Sequence, residues 1–479
     1  MRPVLELLSM LPAGSTSLAH GSGAPPAMHA SHPEAWITWL FAGLLAVMIL
    51  ALALEEKLHA RKSVITGVAA MVCLLLATAF HLLPFDQMVI DGHELPIYVP
   101  AVDWEVIAII FGSSLFVDVT SQSGIFSYIA MRLTRLSRGD PLLLLLFYGI
   151  LTVVFSAVLN NVAAMIIVGS LTGVSLKKLG RESLLLGFLL AEGLLTNIGG
   201  LLTLISSVPN IIVGNAAGIS FAKFFIIAGP YAAVATAATL IMAVFLFRIR
   251  RLSTTQEKEA AASLVDSFDE TDGIESKRFF VISGIAFVLF IGCLACQSIL
   301  PLFNELGMGF VALTFAVFML IAYRHEVSRF YAALDWDLLL FFAFLFMVIN
   351  VMEHAAVLHM IGNWLTPVMN LGDNTGPGAL MVAAAGASSV TDNIPLSAML
   401  ARILESANTP ADSPMWWSVV FGANLGGNLT PIGSASTLVA VTIIHKYNLK
   451  LSFTGFITRA FPFAVVQLVL AVLYVMVRF

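Results

Sequence analysis

Charge is scarce in this chain of 479 residues: 11% are Asp, Glu, Lys or Arg, against roughly 25% in soluble domains. So few charges cannot cover a surface in water, which excludes a soluble enzyme and a disordered scaffold. Basic charge is scarcer still, with 24 Lys and Arg against 29 Asp and Glu and a net charge of -5, so no basic face is left for nucleic acid. Three cysteines cannot build a disulfide framework. Cys73, Cys293 and Cys296 all lie in apolar stretches, where a thiol packs as a small hydrophobe. His354 and His359 lack the His-Glu-x-x-His spacing, Gly386-Ala-Ser388 has no evident base, and no metal, cofactor or enzymatic activity is expected. The phosphate-loop pattern Gly-x-x-x-x-Gly-Lys is absent too, so any ATPase would have to be a separate subunit.

What fills the chain is apolar: 59% hydrophobic residues and a mean hydropathy of +0.94. This is the composition of an all-α polytopic membrane protein with about ten transmembrane helices. The positive-inside rule orients them. Span 36–54 runs into Lys57, Arg61 and Lys62, so that end is cytoplasmic and residues 1–35 are extracytoplasmic. Residues 36–102 hold two leading spans and an acidic outer loop with Asp86, Asp91 and Glu94 that runs on to Asp103, and a third span, 104–131, ends at Arg132, Arg135 and Arg138. The apolar stretch 141–176 has cytoplasmic charge at both ends, Arg138 before it and Lys177, Lys178 and Arg181 after it. A segment that enters and leaves by one side, with Ser156, Asn160 and Asn161 at its middle, reads as a re-entrant hairpin. Residues 103–247 form one unit, 248–278 a polar cytoplasmic linker, 279–334 two connecting spans and 335–479 a second unit.

The two units repeat each other. Asp103-Trp104 recurs 232 positions on as Asp335-Trp336, Ser156-Ala-Val-Leu-Asn160-Asn161 as Ser388-Ser-Val-Thr-Asp392-Asn393, and Ser220-Phe221 with Pro230 as Ser452-Phe453 with Pro462. Asn197-Ile-Gly199-Gly200 recurs 227 positions on as Asn424-Leu-Gly426-Gly427. Asp103 falls outside and Asp335 inside, so the units are expected to be inverted. Inverted repeats with discontinuous helices are the build of many secondary transporters, in which one element rocks against the other to give alternating access.

Broken backbone inside a membrane is tolerated only where protein or a polar cavity covers it. The hairpin tips offer Ser156, Asn160 and Asn161, and Ser388, Thr391, Asp392 and Asn393. The broken spans offer Thr196 and Asn197, and Asn424, Asn428 and Thr430. Oxygen-bearing side chains beside freed carbonyls suit a small ion or a small hydroxylated solute. Carboxylates in spans are expensive unless paired or functional. Asp392, on the second tip, and Glu192, about one turn before Asn197, are therefore the proton-coupling candidates, whereas Asp118 and Glu353 sit near span ends and read as solvated. No Lys or Arg falls within either broken region, Arg402 being the nearest, which favours a cation or a neutral solute over a dicarboxylate or sulfate.

Glu55-Glu56-Lys57-Leu58-His59, Thr196-Asn197-Ile198-Gly199-Gly200, Val208-Pro209-Asn210, Thr391-Asp392-Asn393-Ile394-Pro395 and Gly422-Ala-Asn424-Leu-Gly426-Gly427-Asn428-Leu-Thr430-Pro431-Ile432-Gly433 resemble one superfamily. It is the ion transporter superfamily that contains bacterial arsenite permeases, NhaD-type sodium/proton antiporters and the melanosomal P protein. The resemblance covers most of 36–479 and is nearer to the arsenite-permease and P-protein branch. It implies two hairpins, membrane-buried Asn/Thr clusters as the substrate site, a bacterial inner-membrane location and a homodimer. Where that branch has Leu-Asp-Asn at the first tip, this chain has Leu159-Asn160-Asn161. The expected activity is efflux of arsenite or antimonite coupled to H+ or Na+, with sodium/proton antiport and then a passive channel as the alternatives.

Overall fold

The computed structural model describes residues 33–479 other than 84–88, 91–92, 267–269, 272, 275 and 373–374. Most of the expected extracytoplasmic segment 1–35, with Asp86 and Asp91 of the acidic loop, lies outside the described residues. Helix dominates, as a lipid-immersed backbone requires, since each N–H and C=O must find its partner within the protein. The exception is a two-residue antiparallel pair, Val89–Ile90 with His93–Glu94. Among the described residues, nine helices are long and apolar enough to cross a bilayer. The tenth expected span is present in two pieces, Pro414–Gly426 and Ala435–Lys446, each too short to cross alone. Exposed Leu75, Phe245, Val288 and Val477 give the outer surface the apolar character that hydrocarbon covers.

Seven helices of the first half recur in order in the second. Trp104–Ser121, Ile125–Leu136, Pro141–Ser156, Asn161–Lys178, Leu185–Gly199, Val208–Ala216 and Phe221–Leu246 answer to Trp336–His354, Val357–Met369, Thr375–Ser388, Asn393–Ser406, Pro414–Gly426, Ala435–Lys446 and Phe453–Arg478. The first pair start by the same local chemistry. Asp103 accepts from the Val106 amide at 3.1 Å and Asp335 from the Leu338 amide at 3.0 Å, each satisfying a donor that the first helical turn leaves open. The neighbouring Trp104 and Trp336 indoles each donate to a carbonyl five residues back, both at 2.9 Å. Pro230 and Pro462 lie inside the matching last helices.

One expected span is not continuous. The stretch 104–131 breaks at 122–124, because Ser123 Oγ binds the Thr120 carbonyl at 2.6 Å and Gly124 takes a left-handed φ of 79°. The second half breaks at the equivalent place, where Ala356 has φ 58°. Packing of the flanking helices is crossed. Lys62–Ala79, which precedes the first half, runs along Trp336–His354 of the second, while Pro301–Ala322, which precedes the second half, runs along Trp104–Ser121 of the first. The latter pair is close enough that a side chain at Gly112 would strike the Ala312 backbone.

One glycine holds each hairpin against its broken helix. A Cβ at Gly199 would overlap the Val153 carbonyl and Ser156 Cβ, and one at Gly426 would overlap the equivalent Ala385 carbonyl and Ser388 Cβ. Gly426→Val is therefore expected to destabilise the protein by about 3 kcal/mol through overpacking against rigid backbone, visible as a lower melting temperature in detergent. An unchanged melt would mean that this contact opens without cost.

Candidate functional site

Each half first builds its own corner. In the first, the Pro141–Ser156 helix ends at the tip 157–160 and the chain turns back as Asn161–Lys178. Ser156 Oγ donates to the Thr196 carbonyl at 2.6 Å, and Thr203 Oγ1 donates to the Ala157 carbonyl at 2.5 Å. In the second, Ser388 Oγ donates to the Ala423 carbonyl at 2.6 Å and Thr430 Oγ1 to the Ser389 carbonyl at 2.6 Å. These are the same two bonds made by equivalent residues. Two of the carbonyls, Ala157 and Ser389, belong to the hairpin tips and two, Thr196 and Ala423, to the last turns of Leu185–Gly199 and Pro414–Gly426, so each tip is tied to its broken helix by bonds that also spare buried carbonyls the cost of going unpaired.

The two corners then meet at the broken helices. Asn197 Nδ2 donates to Asn428 Oδ1 at 2.8 Å, and Asn424 Nδ2 to Asn210 Oδ1 at 2.9 Å. The contact is reciprocal: Ser207 of the first half donates to Asn424 Oδ1 at 2.8 Å, and its equivalent Ser434 donates to Asn197 Oδ1 at 3.0 Å. Thr196 Oγ1 reaches Ser436 Oγ at 2.9 Å. The network continues outward, through Asn428 to Gln467 Oε1 at 2.8 Å and through Gln467 to Thr239 at 2.9 Å. Thr196, Asn197, Asn210, Asn424, Asn428 and Gln467 are buried. The result is an uncharged belt of amides and hydroxyls between the halves.

Ten of the twelve residues expected at the site fall into three groups, and Thr391 and Asn393 into none. Thr196, Asn197, Asn424 and Asn428 lie in the belt, and Asn161 joins it through Nδ2 to Asn197 Oδ1 at 3.3 Å. Ser156, Ser388 and Thr430 brace the corners, and Thr391 bonds only one turn back, to the Ala387 carbonyl at 2.8 Å. Asn160 and Asp392 cap the helices that follow the tips, accepting from the amides of Ala163 at 2.7 Å and Ile394 at 3.0 Å. Asn160 is exposed and Asp392 and Asn393 are half-buried. Ser207, Asn210, Ser436 and Gln467 belong to the belt without having been singled out as binding residues. Ser207 and Ser434 are 227 positions apart, the same offset as Asn197 and Asn424, and that spacing is the signal for their exchange.

The expectation that no cation lies at a broken region is corrected. Lys62 Nζ sits 2.5 Å from Asp392 Oδ2, brought there because its helix packs across onto the second half. The same ammonium is 3.8 Å from Glu55, and the next residue, Ser63, donates to Asp337 Oδ1. At the other end of the bundle a polar cavity of about 580 Å³ is lined by Glu353, Arg402, Glu405, Asn408 and Trp416. A smaller one beside it, of about 80 Å³, adds Asp103 and Asn215 from the first half. Arg402 is matched there by Glu405 at 3.0 Å. Glu353 is exposed, as read from the sequence, and Asp118 is half-buried. Glu192 is fully buried; Thr172 donates to its Oε1 at 2.5 Å, and its Oε2 has no partner among the described residues. Among the described residues, no three His, Cys, Asp or Glu side chains are grouped to hold a metal ion.

Comparison with known proteins places this architecture among transporters. The citrate transporter family (CitMHS) matches residues 48–422. A 46 kDa membrane protein of Mycobacterium leprae is 27% identical over 90% of this chain and 97% of its own length. An uncharacterized transporter of Mycobacterium tuberculosis is 27% identical over 89% of this chain and 95% of its own. The human P protein is 25% identical over 81% of this chain, which spans 55% of that larger protein. Among solved structures, MtrF of Neisseria gonorrhoeae, described as one of a class of antimetabolite efflux pumps, superimposes with a TM-score of 0.50 over 92% of this chain and 94% of its own, at 11% identity. At that identity the likeness is one of fold. The superfamily resemblance read from the motifs is borne out by the family match and the P protein, and the family is one of transporters, not enzymes.

Proposed function

Because this chain belongs to the CitMHS citrate transporter family, we propose that it is a secondary-active permease that moves a small uncharged oxyacid out of the cell, arsenous acid or its antimony analogue first, by alternating access coupled to an ion gradient. One observation carries the choice of solute. The belt between the halves consists of amides and hydroxyls, and the cations beside the second tip and in the polar cavity are already paired, Lys62 with Asp392 and Arg402 with Glu405. A citrate trianion would meet no uncompensated positive side chain there, whereas a neutral trihydroxy species finds donors and acceptors in both halves. In this reading the two halves are inverted, the tips are re-entrant, Asp392 carries the coupling ion, the protein lies in the bacterial inner membrane with residues 1–35 outside, and two copies associate.

Growth of an efflux-deficient bacterial host tests the solute. Expression of the chain is expected to restore growth on arsenite and antimonite without conferring citrate uptake. No rescue on either would overturn the choice of solute. A specific contact favours sodium/proton antiport as the second reading: Asp392 is a single carboxylate already holding a cation. Rescue on high sodium alone would select it. Proteoliposome flux insensitive to both proton and sodium gradients would instead mark a passive channel.

A further inference from the structure

The two hairpin tips are equivalent in sequence position and unlike in charge. The first carries Asn160, neutral and exposed. The second carries Asp392, whose two oxygens have separate duties, Oδ1 on the Ile394 amide at 3.0 Å and Oδ2 on Lys62 Nζ at 2.5 Å. Lys62 comes from 330 residues away, on a helix that precedes the repeat it contacts. An ion pair this sheltered, with side-chain exposures of 30% and 15%, is poor value as a structural fastening, since desolvation offsets most of the Coulomb gain. A break in a membrane helix beside a carboxylate is, however, the arrangement that suits a small cation. The ammonium is located where such an ion would be held.

We propose that Lys62 is a tethered cation that occupies the Asp392 site between transport events, and that a monovalent cation and Lys62 are mutually exclusive ligands of this one carboxylate. The inference rests on the reading of Asp392 as the coupling carboxylate. When the external cation binds Oδ2, the ammonium swings toward Glu55, already 3.8 Å away. When the cation leaves, Lys62 returns and closes the site, so release does not leave a bare carboxylate in a low-dielectric tip. Ser63, bonded to Asp337 through both its amide at 3.3 Å and its hydroxyl, anchors the helix start so that only the Lys62 side chain need move. The charged groups facing the pair are thus Glu55 and Asp337.

Binding of radiolabelled sodium to the purified full chain, with no transported solute present, tests this. Removing the competitor in Lys62→Met is expected to tighten sodium binding at least about tenfold, because the opposite charge now comes only from the added ion. Lys62→Arg, which keeps a competing cation, is expected to bind as the unmodified protein does. The gain must vanish in Lys62→Met/Asp392→Asn. Lys62→Gln, which still offers Oδ2 a donor, makes the same test if Lys62→Met does not fold. Unchanged sodium affinity in the neutral variants, or a gain that survives Asp392→Asn, overturns the proposal. A lysine that only fastened helices would change the melting temperature and not the sodium affinity. Since no solute enters the assay, its outcome is independent of the arsenite growth test.

Discussion

Asp392→Asn is expected to abolish ion-coupled transport in proteoliposomes while the protein still inserts and purifies as a folded species. The substitution keeps the shape of the side chain and an oxygen able to accept from the Ile394 amide, so the helix beginning at Asn393 keeps its cap. It removes the charge that Lys62 faces. Breaking one side of a sheltered ion pair costs about 3–5 kcal/mol when the remaining charge stays uncompensated, but Glu55 at 3.8 Å can take over part of that role. Folding is therefore retained and the coupling charge is lost. The assay compares uptake driven by an imposed ion gradient with solute exchange at equilibrium, and only the first should disappear. Full gradient-driven transport by the variant would move the coupling role elsewhere, with Glu192 next in line, since its Oε2 is buried and unpartnered among the described residues.

Asn424→Ala should lower transport by more than about a hundredfold, the equivalent of losing about 3 kcal/mol. Its side chain accepts from Ser207 and donates to Asn210 and to the Val420 carbonyl at 2.8 Å. Alanine strands the Ser207 hydroxyl and the Asn210 carbonyl oxygen in a buried belt, at about 1–3 kcal/mol for each unsatisfied group. A double-mutant cycle with Ser207→Ala is expected to be strongly non-additive, since the second substitution removes a group the first has already orphaned. Strict additivity would mean that the 2.8 Å bond between them contributes nothing. By the reciprocity of the belt, Asn197→Ala with Ser434→Ala should behave in the same way.

The parts of this fold that depend on local chemistry were legible in the sequence. Helix caps and tips recur as short strings because Asp103 and Asp335, or Ser156 and Ser388, each act on residues nearby or on the next helix of their own unit. Polar residues inside apolar runs exposed the breaks at 157–160 and after Gly199 and Gly426. The breaks at Gly124 and Ala356 were not legible, although Thr120-Ser121-Gln122-Ser123 and Glu353-His354 lie beside them, because polar residues there suit the end of a span equally well and a left-handed alanine has no sequence mark. The Lys62–Asp392 pair was hidden for another reason. A lysine that closes a cytoplasmic cluster reads as a topological marker, and nothing local reports which tip a crossed helix will reach.

The reciprocal bonds between the halves also bear on how the resting protein is poised. In the proposed inverted arrangement, a chain whose units were identical could exchange the conformations of its halves and reach a state of equal energy facing the opposite side. Any preference for one side at rest must then come from positions where the repetition fails. Asn160 against Asp392 and Glu192 against Val419 are such positions, and the Lys62 contact has Asn160 as its neutral counterpart. These few mismatches set the bias of an otherwise even balance, so replacing them should redistribute the carrier between its two orientations even where the belt itself is untouched.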